Sequence, residues 1–169
     1  ETLSAHYGYF YALELQLTNN LKESSSILRL ILNIKETPDF YNSLALNLMR
    51  ERKYDDAAGY LLNAIIGTAD SKLITLSYEF GSAEEAHYDL NRESYENNPE
   101  EIFKFDRSIF NTNLAICFWR IGQIEGAFDA LERAFKLDPE STFALLVKVD
   151  ILKEQERYAE IIEEINKAE

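Results

Sequence analysis

The sequence predicts an all-α fold, a right-handed α-solenoid of antiparallel helix pairs, and three observations carry that reading. Three stretches align without gaps: Tyr54–Ile65, Ile124–Phe135 and Tyr158–Ala168, each apolar, small or branched, apolar and small at offsets 0, 3, 7 and 10. Those offsets put four side chains on one helical stripe, and alanines at 57, 64, 127 and 134 let neighbouring helices approach closely. The spacing is periodic: Ala127 to Ile161 is 34 residues, and Ala57 to Ala127 is 70, close to twice that period. Strand signals are missing, because no useful run alternates apolar and polar residues and no Asn-Gly or Asp-Gly turn occurs.

The elements follow in chain order. Residues 1–37 read as a degenerate helical hairpin slightly out of the repeat's register. Tyr7, Phe10, Leu13 and Leu17 form its first stripe and Ile27, Leu30, Ile31 and Ile34 its second, with Asn19-Asn20 and Ser24-Ser25-Ser26 flanking the turn. Thr37-Pro38-Asp39 is an N-cap followed by proline at the first helical position. Residues 38–71 form a repeat. Residues 72–107 form an irregular acidic repeat: a helix over Leu73–Phe80 ending near Gly81, then an acidic helix to about Glu96. Asn98-Pro99-Glu100-Glu101 starts a long helix expected to run to about Ile121, since Ile102, Phe103, Phe105, Ile109 and Phe110 lead without a break into Leu114 and Phe118. Residues 108–141 form the next repeat. Residues 142–169 form the last, which reads as truncated.

These units resemble the tetratricopeptide repeat (TPR), a helix–turn–helix of 34 residues. In the unit 108–141, Leu114, Ala115 and Phe118 fall on the family's helix A, Gly122 ends it, Ala127, Leu131 and Ala134 fall on helix B, and Pro139 closes the unit. Asn111 stands where the family often has Trp. The unit 38–71 matches at Tyr41, Leu44, Ala45, Leu48, Tyr54, Ala57, Leu61 and Ala64, with Ala69 in place of the closing proline. The last unit matches at Val149, Leu152, Tyr158, Ile161, Ile165 and Ala168. The resemblance implies a concave wall of A helices that binds a partner. Carried onto this chain, the partner-binding positions are Asn42, Leu46, Met49, Arg50, Thr112, Asn113, Ile116, Trp119, Arg120 and Asp150, with Phe143, Leu146 and Val147 on the same wall or under a further repeat. Co-chaperone members clamp a C-terminal carboxylate with Lys, Asn and Arg. The clamp lysines are lacking here, which argues against that ligand.

Composition narrows the function further. The 169 residues hold 17 Lys and Arg against 30 Asp and Glu, a formal net charge of −13. Such a surface repels nucleic acid and anionic membranes. No apolar run reaches the roughly 18 residues that would span a bilayer. One cysteine excludes an internal disulfide framework. Reactive groups are sparse. His6 lies near a chain end, His87 lies in the acidic stretch with no second His or Cys beside it, and Cys117 lies between apolar Ile116 and Phe118, as a buried inert thiol would. Glu100-Glu101 and Glu163-Glu164 are adjacent pairs that do not face each other on a helix. The six glycines form no phosphate loop, and Arg50, Arg52 and Lys53 are too few for a nucleic-acid footprint.

The expectation is therefore a non-enzymatic interaction module or scaffold, with no catalytic residues, cofactor or metal. Its partner would be a basic or amphipathic protein or peptide held in the concave groove. Two alternatives stand beside it: a self-associating scaffold that makes a homo-oligomer through the first helix (Tyr7, Tyr9, Phe10, Tyr11) or the last unit, or the regulatory or structural region of a larger enzyme or complex. A single cysteine fits a reducing compartment, which makes a cytoplasmic location the expectation.

Overall fold

The computed structural model describes residues 2–66 and 99–168. Among the described residues there are eight α-helices and no strand: α1 Thr2–Leu17, α2 Leu21–Leu32, α3 Pro38–Arg50, α4 Tyr54–Ile66, α5 Pro99–Arg120, α6 Ile124–Leu137, α7 Thr142–Glu154 and α8 Tyr158–Ala168. The two helices expected between 72 and 96 lie outside the described residues.

Four helix pairs share one turn. The residue at its centre is left-handed in each case: Asn19 at φ 61°, Arg52 at 60°, Gly122 at 82° and Glu156 at 57°. The residue after it donates its N–H five positions back, from Asn20 to Leu15 O at 2.7 Å, Lys53 to Leu48 O at 2.8 Å, Gln123 to Phe118 O at 2.8 Å and Arg157 to Leu152 O at 2.9 Å. This is the Schellman arrangement, which satisfies carbonyls that a helix end would otherwise strand. The turn centres are 33, 70 and 34 residues apart, so the conformation recurs with the spacing seen in the sequence. Ala57, Ala127 and Ile161 are each the fourth residue of the second helix in a pair. Their N–H groups bond Lys53 O, Gln123 O and Arg157 O at 3.0, 3.0 and 3.4 Å.

The first helices of the pairs start alike as well. Thr37 Oγ1 accepts the Phe40 N–H, and Ser141 Oγ accepts the Ala144 N–H, each satisfying a free donor of the first turn. The equivalent start in α5 is Ser108, yet α5 begins at Pro99. The nine extra residues lengthen it by about 13 Å.

Each helix packs on its sequence neighbours, with α1 also on α3 and α5 also on α7. α4 lies directly against α5, and Asn113 Nδ2 on α5 donates to Asn42 Oδ1 on α3 at 3.0 Å. The pairs α3–α4 and α5–α6 are therefore adjacent, although 70 residues separate their turns.

Small side chains make the contacts close. Ala45, Ala57, Ala115, Ala127, Ala130 and Ala134 are fully buried with Leu44, Leu61, Leu114 and Leu131. Gly8 works the same way: a Cβ there would lie 2.7 Å from Ile31 Cγ2, so its absence sets the approach of α1 to α2.

In the first hairpin the buried faces differ from the expected stripes. α1 buries Ala5, Tyr9, Ala12, Leu13, Leu15 and Gln16, while Tyr7, Phe10 and Leu17 are exposed. α2 buries Ser24, Ser25, Leu28 and Ile31 and exposes Leu30; Ile34, just beyond its end, is exposed too. Apolar residues surround α1, so hydrophobicity alone does not choose its inner face. Small and hydrogen-bonding groups that fit against α3 do.

Candidate interaction surface

The positions expected to line an open groove divide in two. Asn42, Leu46, Met49, Thr112, Asn113, Ile116 and Trp119 are all buried. The packing of α3 and α5 covers them. α3 is buried from Pro38 to Met49 apart from half-buried Tyr41, and the Asn42–Asn113 bond ties α3 to α5. Arg50 is half-buried and donates from Nη1 to Gln16 O at 3.0 Å. Arg120 is exposed, with its guanidinium 4.0 Å from the centre of the Trp119 ring. Asp150 is half-buried.

The same stripe opens in the last unit. Phe143, Leu146 and Asp150 on α7 occupy the places held by Asp39, Asn42 and Leu46 on α3 and by Ile109, Thr112 and Ile116 on α5. The first two units bury all six. In the last, Leu146 is 56% exposed, Phe143 and Asp150 are half-buried, and Val147 is fully buried.

Part of what closes the wall is a hydrogen-bonded cluster that sequence reasoning missed. Gln16 Nε2 donates to Ser43 O at 2.8 Å and to Asn47 Oδ1 at 2.7 Å. Asn47 Nδ2 reaches Ser24 Oγ and Ser25 Oγ at 3.0 and 3.1 Å. Ser24 Oγ donates to Ala12 O at 2.8 Å, and the Tyr9 hydroxyl bonds Ser43 Oγ at 3.1 Å. A signal was present: Asn47 stands at a repeat position that carries Cys117 and Ile151 in the other units. A polar residue there needs polar partners, and Ser24-Ser25 supplies them. A second case is Asn111. It is buried and accepts from Arg133 Nε at 3.1 Å.

Apolar surface remains at the two ends. On α1, Tyr7 is 69% and Phe10 and Tyr11 are each 49% exposed. On α8, Tyr158, Ile162 and Ile165 are 58, 61 and 48% exposed. The interior equivalents of the α8 stripe are covered: Ala58, Leu61 and Leu131 are buried, and Tyr54, Ile124 and Phe128 pack on the core. Lys148 ties α7 to α8 through Glu164 at 2.6 Å, and Lys167 adds a second contact to that carboxylate at 2.9 Å. The two ammonium groups, Lys148 first, hold Glu164 below the usual carboxylate range.

The chemistry of the remaining groups is subdued. Cys117 is fully buried, and burial pushes its thiol up to about 12, with the Asp55 charge adding to the rise. His6 is half-buried, and His87 lies outside the described residues. Among the described residues no group of three or more His, Cys, Asp or Glu could hold a metal ion, and no helix is long and apolar enough to cross a membrane. An open depression at the α1–α2 turn, lined by Asn19, Asn20, Leu21, Lys22, Glu23 and Glu51, gathers no reactive set. No protein-family model matches this chain, and no curated protein matches it.

Proposed function

We propose that this chain is a non-enzymatic protein–protein interaction module of the tetratricopeptide-repeat type, a right-handed stack of helix pairs that takes an amphipathic helical segment of a partner. The recurring turn supports the repeat reading, because one backbone conformation and one hydrogen-bond pattern return at Asn19, Arg52, Gly122 and Glu156. One observation carries the docking site: the stripe that the inner units bury is open at Phe143, Leu146 and Asp150. The site sits on rigid helices, so little ordering entropy is lost on binding. Leu146 supplies an apolar anchor, and Asp150 favours a segment that carries Lys or Arg. The reading thus moves the expected ligand from the whole inner wall to its C-terminal third.

Selection of helical peptides displayed on phage tests this. Enriched peptides should be amphipathic and basic, and Leu146→Asp should weaken them at least tenfold, about 1.4 kcal/mol. Peptides that bind wild type and Leu146→Asp equally would remove the site.

A further inference from the structure

The two exposed ends are related by the repeat itself. α3 meets the pair before it through Phe40, Ser43 and Asn47: the Phe40 ring lies 4.9 Å from the Tyr9 ring, Ser43 bonds the Tyr9 hydroxyl, and Asn47 bonds Gln16, Ser24 and Ser25. The first and second turns are 33 residues apart, so these positions correspond in α1 to Tyr7, Phe10 and Glu14, all exposed. α1 therefore presents, unpartnered, the face that α3 uses to join a preceding pair. At the other end, α8 presents Tyr158, Ile162 and Ile165, at the positions that inner pairs cover. Leu146, the equivalent of Asn42, stands where α3 reaches the next first helix.

We infer that these faces are the two halves of one interface, and that a second copy of this chain docks its α1 against the α7–α8 end of the first. This inference goes beyond the proposed peptide site, because α1 carries no Lys or Arg, and it names a second occupant for the same end of the chain. The contact continues an interface already made inside the chain, between each pair and the next. With a net charge of −13, two copies repel over most of their surfaces; α1 carries one acid, Glu14, and no Lys or Arg, so apolar packing and not charge carries this contact. Such a contact is head-to-tail and leaves a free end on each copy, so assembly runs on beyond a dimer unless it closes into a ring.

Sedimentation equilibrium of the full chain tests it, with Phe10→Glu blocking one end and Ile162→Glu the other. Both side chains are at least half exposed or nearly so, and circular dichroism checks that each variant keeps its fold. Wild type should gain mass with concentration past a dimer. Each variant alone should stay monomeric. An equal mixture of the two should form a dimer and nothing larger, since each supplies the end the other lacks. Wild type that stays monomeric at every concentration would overturn the inference. So would association lost in Ile162→Glu but kept in Phe10→Glu, which would mean a symmetric contact between two α8 ends. A monomer that still loses peptide binding on Leu146→Asp would overturn this inference and leave the interaction role standing.

Discussion

Asn47→Ala should loosen the first helix pair and leave the last pair unchanged. Asn47 is fully buried and makes three side-chain bonds across the boundary, to Gln16 at 2.7 Å, Ser24 at 3.0 Å and Ser25 at 3.1 Å. A buried hydrogen bond contributes about 1 kcal/mol net, and stranding its partners costs more. Two partners keep other bonds, Gln16 to Ser43 O and Ser24 to Ala12 O, so the total falls at about 2–3 kcal/mol. α1 and α2 meet the other described helices chiefly through α3, so that loss acts on the opening of α1–α2. It corresponds to a larger open population by about 30- to 160-fold, at about 1.36 kcal/mol per decade. Hydrogen exchange followed by mass spectrometry should show faster exchange across α1 and α2, and unchanged rates in α7 and α8. Equal acceleration in all eight helices, or none in α1–α2, would refute the idea that this cluster fastens one pair to the next.

Two more predictions follow from the turns and the thiol. Glu156 is left-handed at φ 57°, where Gly122 performs the same turn at 82°; Glu156→Gly should raise stability by about 1 kcal/mol and Gly122→Ala should lower it by a similar amount, read from thermal midpoints. Cys117 is held neutral by burial, with its thiol up at about 12, so the folded chain should resist thiol reagents at pH 8. Because the folded value lies above the unfolded one of about 8.5, the thiol's contribution is fully present below pH 8.5 and is lost as pH rises toward 12. The stability difference between wild type and Cys117→Ala should therefore shrink above pH 9 in denaturant titrations, and a difference that is flat with pH would contradict this burial.

Much of the helical plan is legible in the sequence. The long helix begins at Pro99, as Asn98-Pro99-Glu100-Glu101 indicates, and ends at Arg120, one residue short of the expected Ile121. Caps and turns are local: Thr37 and Ser141 bond N–H groups three residues on, and each turn closes within six residues. The inner wall was harder to read. Asn42 and Asn113 look like ligand-binding amides on a groove, and a polar residue on a helix face reads as exposed until its partner is known. Here the partner of each is the other, across 71 residues of sequence.

Spacing, caps and turn residues thus determined where the described helices stop, turn and recur, since these depend on contacts within a few residues. Tertiary structure alone decided which faces are buried. Tyr7 and Tyr9 are both large aromatics on one helix, yet Tyr9 is fully buried against Phe40 and Ser43 and Tyr7 is 69% exposed. The difference comes from which helix packs against each face, because a side chain leaves water only where another element arrives to cover it.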